Sequence, residues 1–319
     1  MKSEKIMKIL AIVGSTASGK SALALELAER LGGEIVSCDS MQIYRRMNIG
    51  TAKPDSDELA RVRHHLIDVA EPDEDFSCAD YVSLATRAIE DCASRGRLPI
   101  VCGGTGLYLD ALLRKNDLEP NTTDTSVRES LFELAEREGN EALWRELEKI
   151  DPESAAAIHP NNVKRVARAI EIYRTSGITK TELDRRSQMG GLRYDACVIG
   201  LCYEDRTELY ERIDERVDKM IEQGLLSETE ALLREGVFEH NRTAAQAIGY
   251  KELIPYLAGK ITLDAALEEL KMATRRYAKR QITWFSAKPY VKWIDVKGSC
   301  DKKTFEEIVN IAENLFKKS

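Results

Sequence analysis

The sequence predicts an α/β fold: a P-loop parallel sheet core flanked by helices, carrying a helical insertion domain. Three observations lead there. Apolar runs at 9–13, 34–38, 98–102, 196–201 and 291–296 have the length of strands and are largely continuous, as in strands covered on both faces. Segments of helical period lie between them, and strands alternating with helices read as a parallel, helix-covered sheet. From about residue 115 the strand signal stops, and 127–186 shows helical spacing alone.

In chain order, the first run feeds directly into Gly14-Ser15-Thr16-Ala17-Ser18-Gly19-Lys20-Ser21, which fits the phosphate-loop pattern G-x-x-x-x-G-K-[ST]. The apolar part before it is short and interrupted by Lys8, so it reads as a buried first strand and not as a signal peptide. Residues 21–31 are rich in strong helix formers and end at Gly32-Gly33. The second run ends at Asp39-Ser40-Met41-Gln42. Residues 79–95 then read as a helix, with apolar positions 82, 84, 85, 88, 89 and 92. The third run ends at Gly103-Gly104-Thr105-Gly106. Loops that follow strand C-terminal ends are where such sheets bind ligands, so these three loops are expected to converge.

Residues 115–195 are expected to form the helical insertion, with Asp151-Pro152 and His159-Pro160 dividing its helices; 1–114 and 196–319 form a discontinuous core. Residues 207–287 are again mostly helical, and the tail 297–319 reads as a terminal helix.

Hydrophobic content of 43% and charged content of 32% are those of an ordinary soluble protein, and no stretch approaches the length of a membrane span. Seven scattered cysteines without a C-x-x-C pair point to free thiols in a reducing cytosol, and His64-His65 has no partner at metal-site spacing. The net charge of −7 seems to exclude nucleic acid, but its distribution does not. Residues 115–158 hold 12 acids and 5 bases, residues 160–186 hold 7 bases and 3 acids, and residues 271–288 hold 6 bases and no acid. Such segregation is the footprint of phosphate-backbone binding, or else of two solvated helix faces.

The phosphate loop places backbone N–H groups and a helix N-terminus around a di- or triphosphate. Lys20 would contact the outer phosphates, and the Ser21 hydroxyl would hold a magnesium ion. No acidic residue follows the 98–102 strand, where a nucleotide hydrolase keeps one for magnesium. Asp39 is the prominent acid instead. It would orient an acceptor hydroxyl in a small-molecule kinase, accept a proton from a nucleophile in a transferase with a diphosphate leaving group, or serve only as a turn or helix cap.

These blocks resemble one family. The phosphate loop, Asp39-Ser40-Met41-Gln42-Ile43-Tyr44, Ile49-Gly50-Thr51-Ala52-Lys53-Pro54, His64-His65-Leu66-Ile67-Asp68 and Gly103-Gly104-Thr105-Gly106-Leu107-Tyr108 occur in the order and spacing of tRNA dimethylallyltransferases. So do Asp151-Pro152, Ile158-His159-Pro160-Asn161, Lys164-Arg165-Val166-Ala167-Arg168-Ala169, Ile248-Gly249-Tyr250 and Lys279-Arg280-Gln281-Ile282-Thr283-Trp284-Phe285, over about residues 8–295. Ser15 stands where the family usually has proline, and Ser21 where threonine is common. The segment 118–125 matches poorly.

The resemblance implies transfer of a dimethylallyl group from its diphosphate to N6 of the adenosine 3′-adjacent to the anticodon, in a cytoplasmic, magnesium-dependent, monomeric enzyme. It implies that Gly14, Ser15, Thr16, Ala17, Ser18, Gly19, Lys20 and Ser21 hold the diphosphate, Ser21 through magnesium. Asp39, Thr16 and Arg216 would be catalytic, although Arg216 would also suit an ordinary i,i+4 surface salt bridge. Asp39, Ser40, Met41, Gln42, Thr105, Arg128, Lys164, Arg165, Val166, Ala167, Arg168, Lys279, Arg280, Gln281 and Trp284 would contact the tRNA anticodon stem-loop. Thr105 would equally suit a helix cap, and Trp284 and Phe285 a place in the core. An adenylate prenyltransferase and a P-loop small-molecule kinase stand as alternatives.

Overall fold

The computed structural model describes residues 6–114, 126–189, 191–241, 243–296 and 302–317. The poorly matched segment 118–125 and Cys300 lie outside them. The chain divides into two compact units, Met1–Leu113 with Arg193–Ser319, and Arg114–Leu192. The sequence boundary at 195 differs by a few residues, because Tyr194 is fully buried in the core unit and Asp195 already begins a strand.

The core unit holds a six-stranded parallel sheet. Its strands are β1 (Lys8–Gly14), β2 (Gly33–Ser37), β3 (His64–His65), β4 (Leu98–Gly103), β5 (Asp195–Cys202) and β6 (Val291–Asp295), in the order β3-β2-β4-β1-β5-β6. The five continuous apolar runs became β1, β2, β4, β5 and β6. The two-residue β3 gave no apolar run and was not foreseen. Helices α1 (Lys20–Leu31), α2 (Ser56–Arg61), α3 (Cys78–Ser94) and α4 (Gly106–Leu113) belong to the first half of this unit.

Among the described residues, the secondary structure of Arg114–Leu192 is helical apart from one bridge, Arg114 to Leu192. It contains α5 (Ser126–Glu138), α6 (Asn140–Ile150), α7 (Pro152–Ala157), α8 (Val163–Ser176) and α9 (Lys180–Met189) around Leu131, Leu143, Leu147, Val166 and Ile170. Asp151 ends α6 and caps α7, accepting from Ser154 N at 3.1 Å and from Thr181 N at 2.9 Å. The second half of the core unit adds α10 (Arg206–Glu222), α11 (Leu225–Arg234), α12 (Val237–His240), α13 (Ile254–Leu257), α14 (Leu263–Ser286) and α15 (Lys302–Lys317).

The sheet places the site. Leu10 to Val13 sit between Ile100 to Gly103 on one side and Cys197 to Gly200 on the other. Ser37 pairs with Cys102. The chain therefore leaves β1, β2 and β4 at the same edge, beside the point where the connections reverse direction. Both sheet faces are apolar and packed by helices: Leu23, Leu27 and Ile308 lie on one side, Tyr81, Leu109 and Phe285 on the other.

Candidate active site

The phosphate loop turns through Ala17 and Gly19, both in the left-handed region with φ of 61° and 83°, and enters α1 at Lys20. Lys20 Nζ rests 3.1 Å from Ser15 O. Thr16 N, a loop amide, donates to Gln281 Oε1 at 2.8 Å, and Gln281 Nε2 donates to Gly104 O at 3.0 Å. One carboxamide on α14 thus ties the loop after β1 to the loop after β4. Glycine is required where these loops crowd: a Cβ on Gly103 would lie 2.1 Å from Cys38 O.

Asp39 follows β2. Its Oδ1 accepts from Met41 N at 2.9 Å and Gln42 N at 3.4 Å, closing a turn. Among the described residues Oδ2 makes no hydrogen bond, so the turn role occupies one oxygen and leaves the other. Thr105 Oγ1 accepts from Ser40 N at 3.0 Å, pinning the Asp39 loop to the β4 loop, and does not cap α4. Gln42 lines the cleft with its amide held in place: Nε2 donates to Ala52 O at 2.9 Å, and Oε1 accepts from Ser37 Oγ at 3.0 Å.

These loops, α10 and α14 enclose a cleft of about 360 Å³, lined by Thr16, Lys20, Ser21, Asp39, Ser40, Met41, Arg216, Tyr277 and Arg280 among others. A second chamber of about 390 Å³ opens along Ala17 to Ala22, Arg212 and Lys219. Lys20, Ser21, Ala52, Arg216 and Met220 line both.

Arg216 is not held in a surface salt bridge among the described residues; its neighbour Arg212 donates to Ala17 O at 3.2 Å. Burial lowers the Arg216 pKa below its ordinary value, with the Asp39 carboxylate acting against it. Burial also lowers the Lys20 ammonium, and the Arg216 charge adds to that. Lys20, Arg216, Lys251 and Arg280 line the cleft with the single carboxylate of Asp39, an excess of positive charge suited to an anion. Ser21 is exposed at the first turn of α1 and faces both chambers.

The basic stretches are thinned by pairing. On α14, Lys271 pairs with Asp218, Arg275 with Asp214 and Arg276 with Glu269, and just past the helix Lys288 pairs with Asp110. Exposed Lys279 and Arg280 have no carboxylate partner among the described residues, Arg280 standing 5.5 Å over the Tyr277 ring. In the insertion, Arg174, Lys180, Arg185 and Arg186 pair with Glu146, Asp184, Glu153 and Glu182. Arg128 and Arg168 both grip Glu171, which is 2% exposed. Lys164 and Arg165 stay exposed and unpaired among the described residues.

Three expected RNA contacts have buried side chains. Val166 and Ala167 are fully buried in the insertion core, because the other face of α8 carries the bases. Gln281 is 5% exposed, and both ends of its amide are used internally. The aromatic pair divides: Phe285 enters the core, while Trp284 is 37% exposed and packs edge-on against Gly106.

Sequence reasoning missed Leu270, Thr274 and Tyr277, which with Gln281 line the cleft from α14 at i, i+4, i+7, i+11. The period was legible; the basic residues between those positions drew attention away. It also missed a buried cluster, in which His65 Nε2 and Cys92 Sγ lie 2.7 and 3.5 Å from Glu34 Oε2. Separations of 31 and 58 residues hid it. Arg95 hydrogen-bonds both oxygens of Glu34, which makes the cluster an ion-pair anchor.

Comparison with known proteins agrees with this geometry. The sequence model described as IPP transferase matches residues 42–288. A tRNA dimethylallyltransferase of Geobacillus thermodenitrificans is 49% identical over 289 residues, covering 91% of this chain and 90% of its own. The crystal structure of the tRNA isopentenylpyrophosphate transferase of Bacillus halodurans superposes with a TM-score of 0.71 at 43% identity, covering 98% of each chain. A eukaryotic dimethylallyltransferase solved acting on tRNA gives 0.83 at 29% identity, over 98% of this chain and 80% of that one. With an IPP transferase match over most of the chain and relatives this similar, the chain belongs to the tRNA dimethylallyltransferase family of prenyl-transferring enzymes.

Proposed function

We propose that this chain transfers a dimethylallyl group from dimethylallyl diphosphate to N6 of the adenosine 3′-adjacent to the anticodon of tRNA, releasing diphosphate. The observation that carries this reading is one cleft at the strand edge in which Lys20 and Arg216, two cations that also line the neighbouring chamber, stand with the carboxylate of Asp39. The diphosphate would lie on the loop amides with Lys20 and Arg216 at its oxygens. Their charges are fixed in place before reaction, so they stabilise negative charge as the carbon–oxygen bond breaks. Val217, Met220, Ala247 and Leu270 give the same cleft an apolar wall for a short branched hydrocarbon.

N6 of the adenine attacks the allylic carbon, and the bonding electrons leave with the diphosphate. The new N–C bond makes the amine proton acidic, and Asp39 Oδ2 accepts it. Help of this kind contributes about 10²–10⁴-fold. Magnesium suits the site, since this ion needs only one or two protein oxygens beside phosphate oxygens and water, and exposed Ser21 Oγ is such a donor. When bound it would neutralise charge on the leaving diphosphate.

The adenine must leave its stack to reach the cleft, which costs a few kcal/mol and least in a loop. Lys279 and Arg280 beside the cleft, and Lys164 and Arg165 in the insertion, would hold RNA phosphates. Trp284 offers a ring for base stacking. A single chain supplies the whole cleft, and we take the monomer as the working unit. Among the described residues no helix is long and apolar enough to cross a membrane, and a tRNA substrate places the work in the cytoplasm.

Labelled dimethylallyl diphosphate offered in parallel to unmodified anticodon stem-loop, AMP and ATP tests the reading. Label should enter the RNA alone. Label in AMP or ATP would make the protein an adenylate prenyltransferase.

A further inference from the structure

Tyr277 has no role in the chemistry above, yet it lies at the centre of the site. The α14 stripe has an apolar end at Leu270 and a loop-clamping end at Gln281, and Tyr277 stands between them on the cleft wall. It shares that wall with Asp39, Ser40 and Arg280. The Arg280 guanidinium over its ring fixes one face, leaving the edge with the hydroxyl as the polar group. The hydroxyl is within hydrogen-bonding reach of the Thr105 side chain, and the Asp39 charge is near enough to act on its ionisation. Burial, and then the Asp39 charge, raise the phenol pKa far above neutrality, so the oxygen keeps its proton.

Resting on the substrate reading above, we propose that Tyr277 reads the acceptor base: its hydroxyl donates to a ring nitrogen of adenine while Asp39 accepts from the exocyclic amine. Adenine carries its amine donor between two ring-nitrogen acceptors, N1 and N7. An acceptor flanked by a donor on the protein is the complement of that edge. Guanine would set its O6 acceptor against Asp39, so the pair rejects it. A site built to hydrogen-bond a substrate group discriminates because its own polar atoms are otherwise left unpaired. Thr105 cannot fill the donor role as freely, since its oxygen already accepts from Ser40 N and lies 3.4 Å from Ser40 Oγ.

The test is a cycle between protein and base. Tyr277→Phe keeps the ring and removes only the hydroxyl; a melting curve matching the wild type establishes its fold. Anticodon stem-loops carry adenosine, 1-deazaadenosine or 7-deazaadenosine at the acceptor position. On adenosine, Tyr277→Phe should lower kcat/KM for RNA roughly three- to tenfold and leave the KM for dimethylallyl diphosphate unchanged. One deaza analogue should cost the wild type a similar factor and cost Tyr277→Phe nothing further. A Tyr277→Phe enzyme as active as wild type, or losses that multiply for both analogues, would overturn the assignment. Failure of the wild type to modify the adenosine stem-loop would instead overturn the substrate reading beneath it, so the two failures are distinct.

Discussion

Helices α8 and α14 carry the two basic stretches of the chain, and they use their charges differently. On α8, Arg168 is bound with Arg128 to buried Glu171, and Lys164 and Arg165 alone are unpaired. That helix buries Val166, Ala167 and Ile170 in a core of its own, so its bases stand on an ordinary amphipathic helix. On α14, the inward face forms the cleft wall, and Arg280 lines the cleft itself. The difference teaches that a charge balance counted along the chain overstates what a surface offers. Acids both near and distant in sequence neutralise most of each basic run, and among the described residues two cations without a carboxylate partner remain on each helix.

The largest expected effect separates the chemical unit from the insertion. Lys20→Ala should reduce single-turnover transfer by about 10³-fold or more, because a charged donor to the leaving group is lost, and should weaken dimethylallyl diphosphate binding measured by calorimetry. No substitution confined to the exposed bases of α8 should approach that figure. A near-normal rate in Lys20→Ala would break the distinction.

Each unit also has one buried carboxylate that anchors arginines, and these sharpen the comparison through stability. Hydrogen bonds from Arg95 hold the Glu34 carboxyl down from 4.5 to about 2. A depressed carboxylate pKa contributes stability above the unfolded value that is lost as pH falls through the folded one. Denaturant titrations between pH 5 and pH 2 should therefore show about 3 kcal/mol lost from this group, and Glu34→Gln should remove that part of the slope. In the insertion, Glu171→Gln should cost about 1–2 kcal/mol, since Arg128 and Arg168 are 41% and 46% exposed and well solvated. Thermal denaturation of the full chain checks it.

The smallest effects compare free and paired bases directly. Lys279→Gln with Arg280→Gln, or Lys164→Gln with Arg165→Gln, should each weaken stem-loop binding roughly tenfold and lower the log–log salt slope by about 0.7–0.9 for every phosphate no longer neutralised. Arg174→Gln with Arg185→Gln, both ion-paired at the surface, should change the slope by less. Equal slopes for free and paired sets would show that pairing does not select the RNA-binding cations.

The strand–loop–helix at Gly14 to Ser21, the sheet and the insertion were legible because continuous apolar runs and helical period are local signals. Asp39 and Thr105 were legible from their places after strand ends. Gln281 and Val166 were misread for one reason: each stands inside a basic motif and was credited to its surface, while helical geometry turns every third or fourth residue inward. Tyr277 and the Glu34 cluster depend on which distant segments meet, and no short window contains that. Arg216 lay between two readings, and the sequence could not show that no carboxylate among the described residues pairs with it.

The central claim is that Asp39 takes the proton from the attacking amine. Asp39→Asn is the most direct probe, because an amide oxygen still accepts from Met41 N and keeps the turn, while the basicity is gone. In single turnover with saturating dimethylallyl diphosphate and anticodon stem-loop, transfer should fall about 10²–10⁴-fold, with diphosphate binding close to wild type. Transfer near the wild-type rate would contradict the account, leaving Asp39 a turn residue and the proton acceptor elsewhere.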